Sequence, residues 1–187
     1  TGLKQTTKMK WSGLSITAEE LAAIVPIPEA VIADSGIPIW PEVMPRLASA
    51  LGYKLDQATL FGVDKPSSFP DGIIPQAITA GNTLTQGKDL AKDVATMGQK
   101  LAEQGFAMNG FASKPGLNWE LIGLRNTNGT PIYVPSLASG APSTLYGFDL
   151  NEVDNGAWDS TKAVLLGADW SNFVVGIRQD ITYKMLD

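Results

Sequence analysis

Asp169, Arg178 and Asp180 stand near one another in the sequence and are the residue types an acid–base site would use, two carboxylates beside a fixed cation. General acid–base work needs a pocket and shifted pKa values. Nothing in the pattern around these residues implies either, so they read as a turn aspartate and a surface ion pair. Glu152, Asp154 and Asp159 flank Asn155-Gly156 in the manner of an acidic calcium loop, but the full ligand register is missing and a solvated turn is the better reading. Gly105, Gly110 and Gly116 do not make a G-x-G-x-x-G fingerprint after a strand. Trp11, Trp40, Trp119, Trp158 and Trp170 are scattered, with no basic residues between them to build a stacking platform, and read as core or interface anchors. No catalytic, cofactor-binding or metal-ligating residue is assigned, and no cofactor is expected.

Composition narrows the chemistry further. The 187 residues include no cysteine and no histidine. Disulfides, thiolate nucleophiles and sulfur-ligated metals are therefore out, as are the commonest general base near neutral pH and the commonest metal ligand. Serine–histidine hydrolases, zinc hydrolases and cysteine proteases are excluded in their usual forms. With 14 Lys and Arg against 19 Asp and Glu, the formal charge is -5. That leaves no footprint for DNA or RNA, whose binding rests on phosphate neutralisation. Hydrophobic content of 44% and charged content of 18% describe a folded globular protein. Its surface must be covered largely by Asn, Thr, Ser, Gln and Gly, which tolerate extensive contact with partners. A chain of this length can bury a full core in one domain, or in one domain with a smaller lobe. No apolar run reaches membrane-spanning length, and the opening TGLKQTTKMKW lacks a signal-peptide core. A first residue of Thr rather than Met predicts a processed or excised fragment.

The elements that would position any site are organised around residues 37–62. There Val43, Leu47, Leu51 and Leu55 recur at every fourth position, which predicts one long helix, from about Pro41 to Phe61, with an apolar stripe. At about 1.5 Å per residue it spans roughly 30 Å, the breadth of a small domain. Its other face carries Glu42, Arg46, Ser49, Lys54, Asp56 and Gln57, for water or a partner. Pro41 suits a first turn, whereas Pro45 forfeits a hydrogen bond and predicts a bend or a start displaced toward Met44. Gly52 reads two ways, as a close approach of another backbone or as a tolerant surface position.

Ahead of that helix, residues 8–15 read as an edge strand with Met9, Trp11 and Leu14 inward. Thr17 and Glu20 form a capping box that opens a helix through Leu21, Ile24 and Val25, and residues 29–33 are a second helical piece. Residues 62–87 read as a connection, with turns at Lys65-Pro66 and Pro70-Asp71-Gly72. Helical spacing resumes over 88–103 and stops at Gly105. A short strand at 106–111, a helix at 117–124, and strands at 132–134 and 144–148 follow. The last segment predicts an antiparallel hairpin: strand 163–168, a turn at 169–172, strand 173–177, then Ile181, Tyr183 and Met185 alternating with polar residues. The chain reaches Asp187 with this sheet unclosed, which predicts a truncated piece or a partner that supplies the missing edge.

In this order the elements resemble the major capsid protein of tailed bacteriophages, the HK97-like shell fold that encapsulins also use. KMKWSGLSITAEEL at 8–21 looks like the stretch after that family's extended loop. The long helix is similar to its spine helix, running into LDQATLFG at 55–62 and PDGI at 70–73. NGFASKP at 109–115, LRNTNGTPIY at 124–133 and LLGADWSNFVVGIR at 165–178 resemble its axial domain and the strands that leave it. The likeness covers most of the chain, and order and spacing carry it rather than any one motif. It implies an α+β, HK97-like capsid fold with a long spine helix and an axial domain of mixed or antiparallel sheet flanked by helices. Residues 1–73 would be part of a peripheral domain, 74–180 the axial domain, and 181–187 a return toward the peripheral domain. The spine's apolar side would hold a sheet and its polar side meet neighbours. The family's N-terminal arm, extended loop and final strands have no counterpart, so no crosslinking residue is assigned, and the piece is expected to be monomeric or weakly associated.

The function so implied is that of a non-enzymatic structural subunit of a bacteriophage or prophage capsid. Its partners would be copies of itself in pentamers and hexamers, and scaffolding or portal proteins, with no sequence-specific nucleic-acid binding and no membrane. Its place would be the virion, and the host cytoplasm during assembly. An encapsulin-type compartment shares the architecture and encloses cargo protein instead of DNA. The alternative of another class, a small carboxylate-based enzyme or carbohydrate-binding module, would show a closed pocket lined by converging carboxylates.

Overall fold

The structure, a computed structural model, describes residues 13, 15–30, 36, 38–134 and 143–184. Helix α1, Ile39–Asp56, continues as a π-helical turn, Gln57–Phe61, and ends at Gly62 with φ 68°. It begins ahead of both prolines, so the start is not displaced toward Met44. Pro41 lies in the first turn, where its missing N–H costs nothing, and Pro45 forgoes only its bond to the carbonyl of residue 41. The wider π turn shifts the inward register: Leu60 and Phe61 are buried, while Leu55 is 50% exposed. None of the 18 residues of α1 is buried. Among the described residues its stripe of Leu47, Leu51 and Leu55 borders an open groove and meets no sheet.

Gly62 and Gly72 then bring two backbones together. A Cβ on Gly72 would lie 2.6 Å from the carbonyl carbon of Phe61 and nearer still to the Gly62 nitrogen. This crossing starts α2, Ile73–Thr79, inside the stretch expected to be only a connection. The sequence IIPQAIT carries a proline and β-branched residues, so propensity does not announce a helix there. Packing does: Ile74 is buried with Leu60, Phe61 and Trp158. Helix α3, Leu90–Glu103, starts at Asp89, whose side chain accepts from the Lys92 N–H at 3.2 Å, and closes through Gly105 at φ 83°.

A mixed sheet of order β2-β3-β1-β4 forms the other half of the core. Strand β1, Gly110–Ser113, runs parallel to β3, Phe148–Glu152, and antiparallel to β4, Leu165–Ala168; β2, Thr144–Leu145, is antiparallel to β3. All four residues of β1 are buried, Phe111 and Ser113 at 0% exposure. Because side chains alternate along a strand, Phe111 and Ala112 enter different cores. Phe111 joins Val94 of α3, Leu145, Leu150, and Leu117 and Leu121 of α4, Leu117–Gly123. Ala112 joins Trp158, Leu60, Phe61 and Ile74.

Several expectations are corrected. Residues 17–25 form no helix, and Ile24 is 83%, Leu21 50% and Val25 47% exposed. A helix this short takes its stability from a packed apolar face, and these side chains stay open to solvent. Glu29 and Ala30 are helical, but residues 31–33, and residues 8–12 and 14 of the expected first strand, lie outside the described residues. The strand at 106–111 sits instead at Gly110–Ser113, and that at 132–134 reduces to a bridge between Arg125 and Pro131. Residues 144–148 hold a hairpin turn, with Tyr146 at φ 52° and Gly147 at φ 84° linking β2 to β3. The hairpin over 163–177 is absent: β4 pairs with β1, Trp170–Asn172 is a 3-10 turn, and 173–184 form no strand. β1 wins that pairing because its residues fill both cores, while the turn after Asp169 leads the chain away.

Candidate functional site

The acidic residues are spent on structure. Asp169 caps the 3-10 turn, accepting from the Ser171 N–H at 3.2 Å, from the Ser171 hydroxyl, and from Asn109 Nδ2 at 3.1 Å. The hydroxyl bond, foremost, holds its carboxyl below the ordinary aspartate range. Asp180 accepts from the Ile181 N–H at 2.8 Å. Among the described residues no ion pair joins Arg178 to either. Glu152 reaches from β3 to the start of α4, where Oε1 accepts from the Asn118 N–H at 2.6 Å and Oε2 from the Gly116 N–H at 3.3 Å. The Nδ2 of Asn155 donates to Asp56 Oδ2 at 2.6 Å, tying the loop to the end of α1. Asp159 accepts from the N–H of Thr161 at 3.0 Å and from its hydroxyl, which holds that carboxyl down too, and it lies 3.6 Å from Lys162 Nζ. These acids do not converge, and among the described residues no group of three or more His, Cys, Asp or Glu could hold a metal ion.

The glycines and tryptophans divide likewise. Gly105 and Gly116 take positive φ in turns, and Gly110 lies under the Trp170 ring, where a Cβ would come 3.0 Å from Cδ1. Trp158 is buried edge-on to Phe61, with centroids 5.6 Å apart, and its Nε1 donates to the Ala163 carbonyl at 2.7 Å. Trp40 meets Tyr183 at 5.8 Å and Trp170 meets Phe173 at 5.3 Å. Trp11 lies outside the described residues. Trp119 alone among the described tryptophans stands out, 75% exposed.

Among the described residues two apolar stretches remain open. The first is a groove of about 2120 Å³ walled by α1, α3, the β4 edge and segments 16–23 and 172–183, with Asp169, Arg178 and Asp180 on its wall. Small-molecule pockets measure roughly 300–1,000 Å³, so this is a surface left uncovered rather than a ligand pocket. The second begins at Leu124, on the groove's rim. The Arg125–Pro131 bridge sets Leu124 opposite Ile132, whose N–H donates to the Leu124 carbonyl at 3.2 Å, so the two share a face. Ile132 is 58% and Val134 74% exposed. Between them the Tyr133 hydroxyl lies 3.1 Å from Asn118 Oδ1 and donates to the Thr144 carbonyl at 2.7 Å. Burial, then the Glu152 charge, raises the pKa of that phenol.

The offset of Trp119 by two from both Leu117 and Leu121 is the signal in the sequence that sets it outward. Glu152 has no such signal, since it caps a helix from 36 residues away.

A sequence model described as the Phage capsid family matches residues 2–187. A solved structure from Microbacterium phage Oxtober96 is 40% identical with a TM-score of 0.77, over 90% of this chain and 57% of that one. One from Mycobacterium phage Bobi is 31% identical with a TM-score of 0.73, over 87% of this chain and 54% of that one. One from Mycobacterium phage Cain is 31% identical with a TM-score of 0.64, over 76% and 47%. The chain thus spans about half the length of the solved structures it matches. No curated protein matches it.

Proposed function

We propose, since the chain belongs to the phage capsid family, that it is a structural subunit of a bacteriophage or prophage capsid shell and performs no catalysis. The observation that carries this reading is the family match over residues 2–187. The α+β fold, a long helix beside a mixed sheet flanked by helices, accords with it. So do the carboxylates of Glu152, Asp159 and Asp169, which hold a helix start and two turns instead of facing a pocket. In this reading residues 1–73, with the spine helix, belong to a peripheral domain, 74–180 form the axial domain around fivefold and sixfold positions, and 181–187 return toward the periphery. The partners are copies of the same protein in pentamers and hexamers, with scaffolding or portal proteins during assembly in the host cytoplasm. The solved structures above come from phages, which favours a phage shell over an encapsulin-type compartment.

The test uses the gene product that carries this sequence, expressed alone and viewed by electron microscopy. Closed icosahedral particles without enclosed cargo protein are expected. A product that remains unassembled under all assembly conditions would sink the shell reading.

A further inference from the structure

We propose that Asn128 is a modification site, the side chain at which the folded chain converts an amide to an acid without an enzyme. The inference is independent of the shell reading. When glycine follows asparagine, its backbone nitrogen is unshielded by any Cβ and can attack the asparagine side-chain carbonyl carbon, closing a cyclic imide. Asn-Gly occurs at 109–110, 128–129 and 155–156. The sequence nominates these pairs equally, and the geometry separates them.

Asn109 is held at both ends of its amide: Oδ1 accepts from the Trp170 N–H at 2.9 Å and Nδ2 donates to Asp169 Oδ1 at 3.1 Å. Its neighbour Gly110 is buried in β1, between β3 and β4 and against the Trp170 ring. Asn155 is held likewise, with Nδ2 donating to Asp56 Oδ2 at 2.6 Å and Oδ1 accepting from the Ala157 N–H at 3.0 Å. Neither side chain can swing onto the following nitrogen without losing both hydrogen bonds. Asn128 lies exposed in the turn closed by the Arg125–Pro131 bridge. Its backbone N–H donates to Asn126 Oδ1 at 3.0 Å, and among the described residues nothing holds its side chain. Gly129 is exposed too, at φ 79°. What opposes attack is the turn bond from the Gly129 N–H to the Asn126 carbonyl at 3.0 Å. Solvent-exposed bonds of this kind open by local fluctuation at little cost. Asn126 gives the contrast within the same turn. Its Oδ1 accepts from the N–H groups of Asn128 and Thr130, and the β-branched Thr127 crowds the nitrogen that would attack.

Water is the co-reactant. Hydroxide takes the Gly129 amide proton, and the nitrogen's electron pair forms a bond to Asn128 Cγ. The Cγ–Nδ2 bond breaks, and Nδ2 leaves as ammonia after taking a proton from water, which returns the hydroxide. Water then opens the imide at either carbonyl, giving an aspartyl or an isoaspartyl residue at position 128. Both products add a negative charge. The isoaspartyl form also lengthens the backbone inside the turn, which breaks the Gly129–Asn126 bond and loosens the Arg125–Pro131 bridge.

The experiment incubates the full 187-residue chain, folded and in urea, and follows each Asn-Gly pair by peptide mass spectrometry, with enzymatic methylation of isoaspartyl carboxyls as a second readout. In the folded chain position 128 should convert at least roughly tenfold faster than positions 109 and 155, as expected where one reactant is free to align and the others are held. In urea the rates should converge. Conversion should be faster at about pH 9 than at about pH 7, because the attacking nitrogen must lose its proton. Asn128→Gln should remove the acidic form from isoelectric focusing and leave the melting temperature unchanged. Equal rates at the three positions in the folded chain overturn the proposal. So does a folded chain in which position 128 stays intact while the unfolded chain converts, since the turn bond would then protect it. Neither result touches the shell reading, which particle assembly tests separately.

Discussion

Gly52 and Gly72 show how far one residue type can differ in consequence. Around Gly52, inside α1, a Cβ would meet nothing within 4 Å, so the glycine permits no close approach and only costs helix stability. Gly52→Ala should stabilise the chain by about 0.5–1 kcal/mol. At Gly72 a Cβ would strike the backbone of Phe61 and Gly62, which cannot step aside as a flexible side chain can. Gly72→Ala should cost about 1–3 kcal/mol. Urea unfolding midpoints should move in opposite directions for the two variants; movement in the same direction would contradict the geometry. Two aspartates contribute to the acid response. Hydroxyl bonds from Thr161 and Ser171, the leading causes, lower the folded pKa of Asp159 and Asp169 below the ordinary 3.8. Their stabilisation is therefore fully present above that ordinary value and is lost as pH falls through the lower folded values. Melting temperature should decline below about pH 4, less steeply in Asp169→Asn, and a melting temperature flat from about pH 5 to about pH 2 would refute this. The turn role of Asp169 is legible because Ser171 lies two residues away; the Gly62–Gly72 contact is not, because only the folded path brings those residues together.

Among the elements, α4 makes the sharpest case for long-range control. It has seven residues, too few to persist on its own, and its start is held by a carboxylate from β3. Glu152→Ala should cost about 1–2 kcal/mol, and Glu152→Gln, which keeps an acceptor, less. The amide protons of Gly116 and Asn118 should exchange faster in both variants, and unchanged exchange would remove the cap from the account. Helix α1 is legible because a stripe at every fourth residue is a local signal that survives the π turn beneath it. Residues 17–25 show the limit of local signals: the capping box is present, yet Ile24 and its neighbours stay exposed and no helix forms. The hairpin over 163–177 fails for the converse reason. Two adjacent apolar runs look like partners, but β1, some fifty residues earlier, offers β4 two cores at once.

For the whole molecule, the excess of acidic over basic residues governs contact with nucleic acid. With net charge -5, the isolated chain should show negligible affinity for duplex DNA. Saturable, salt-sensitive binding at micromolar concentration in a mobility-shift assay would contradict this. The sequence by itself determined the charge, the lack of histidine and cysteine chemistry, the long helix, the α+β class and the family resemblance. The charge and the missing chemistry are sums over composition, the helix recurs at short spacing, and the class and the resemblance follow from the order of such local signals along the chain. Only the tertiary structure decided that Leu60 and Phe61 rather than Leu55 turn inward, that α2 forms, and that β4 joins β1. Each of those outcomes depends on which distant segments bury one another, and that competition is settled by the packing of the whole chain rather than by any local stretch.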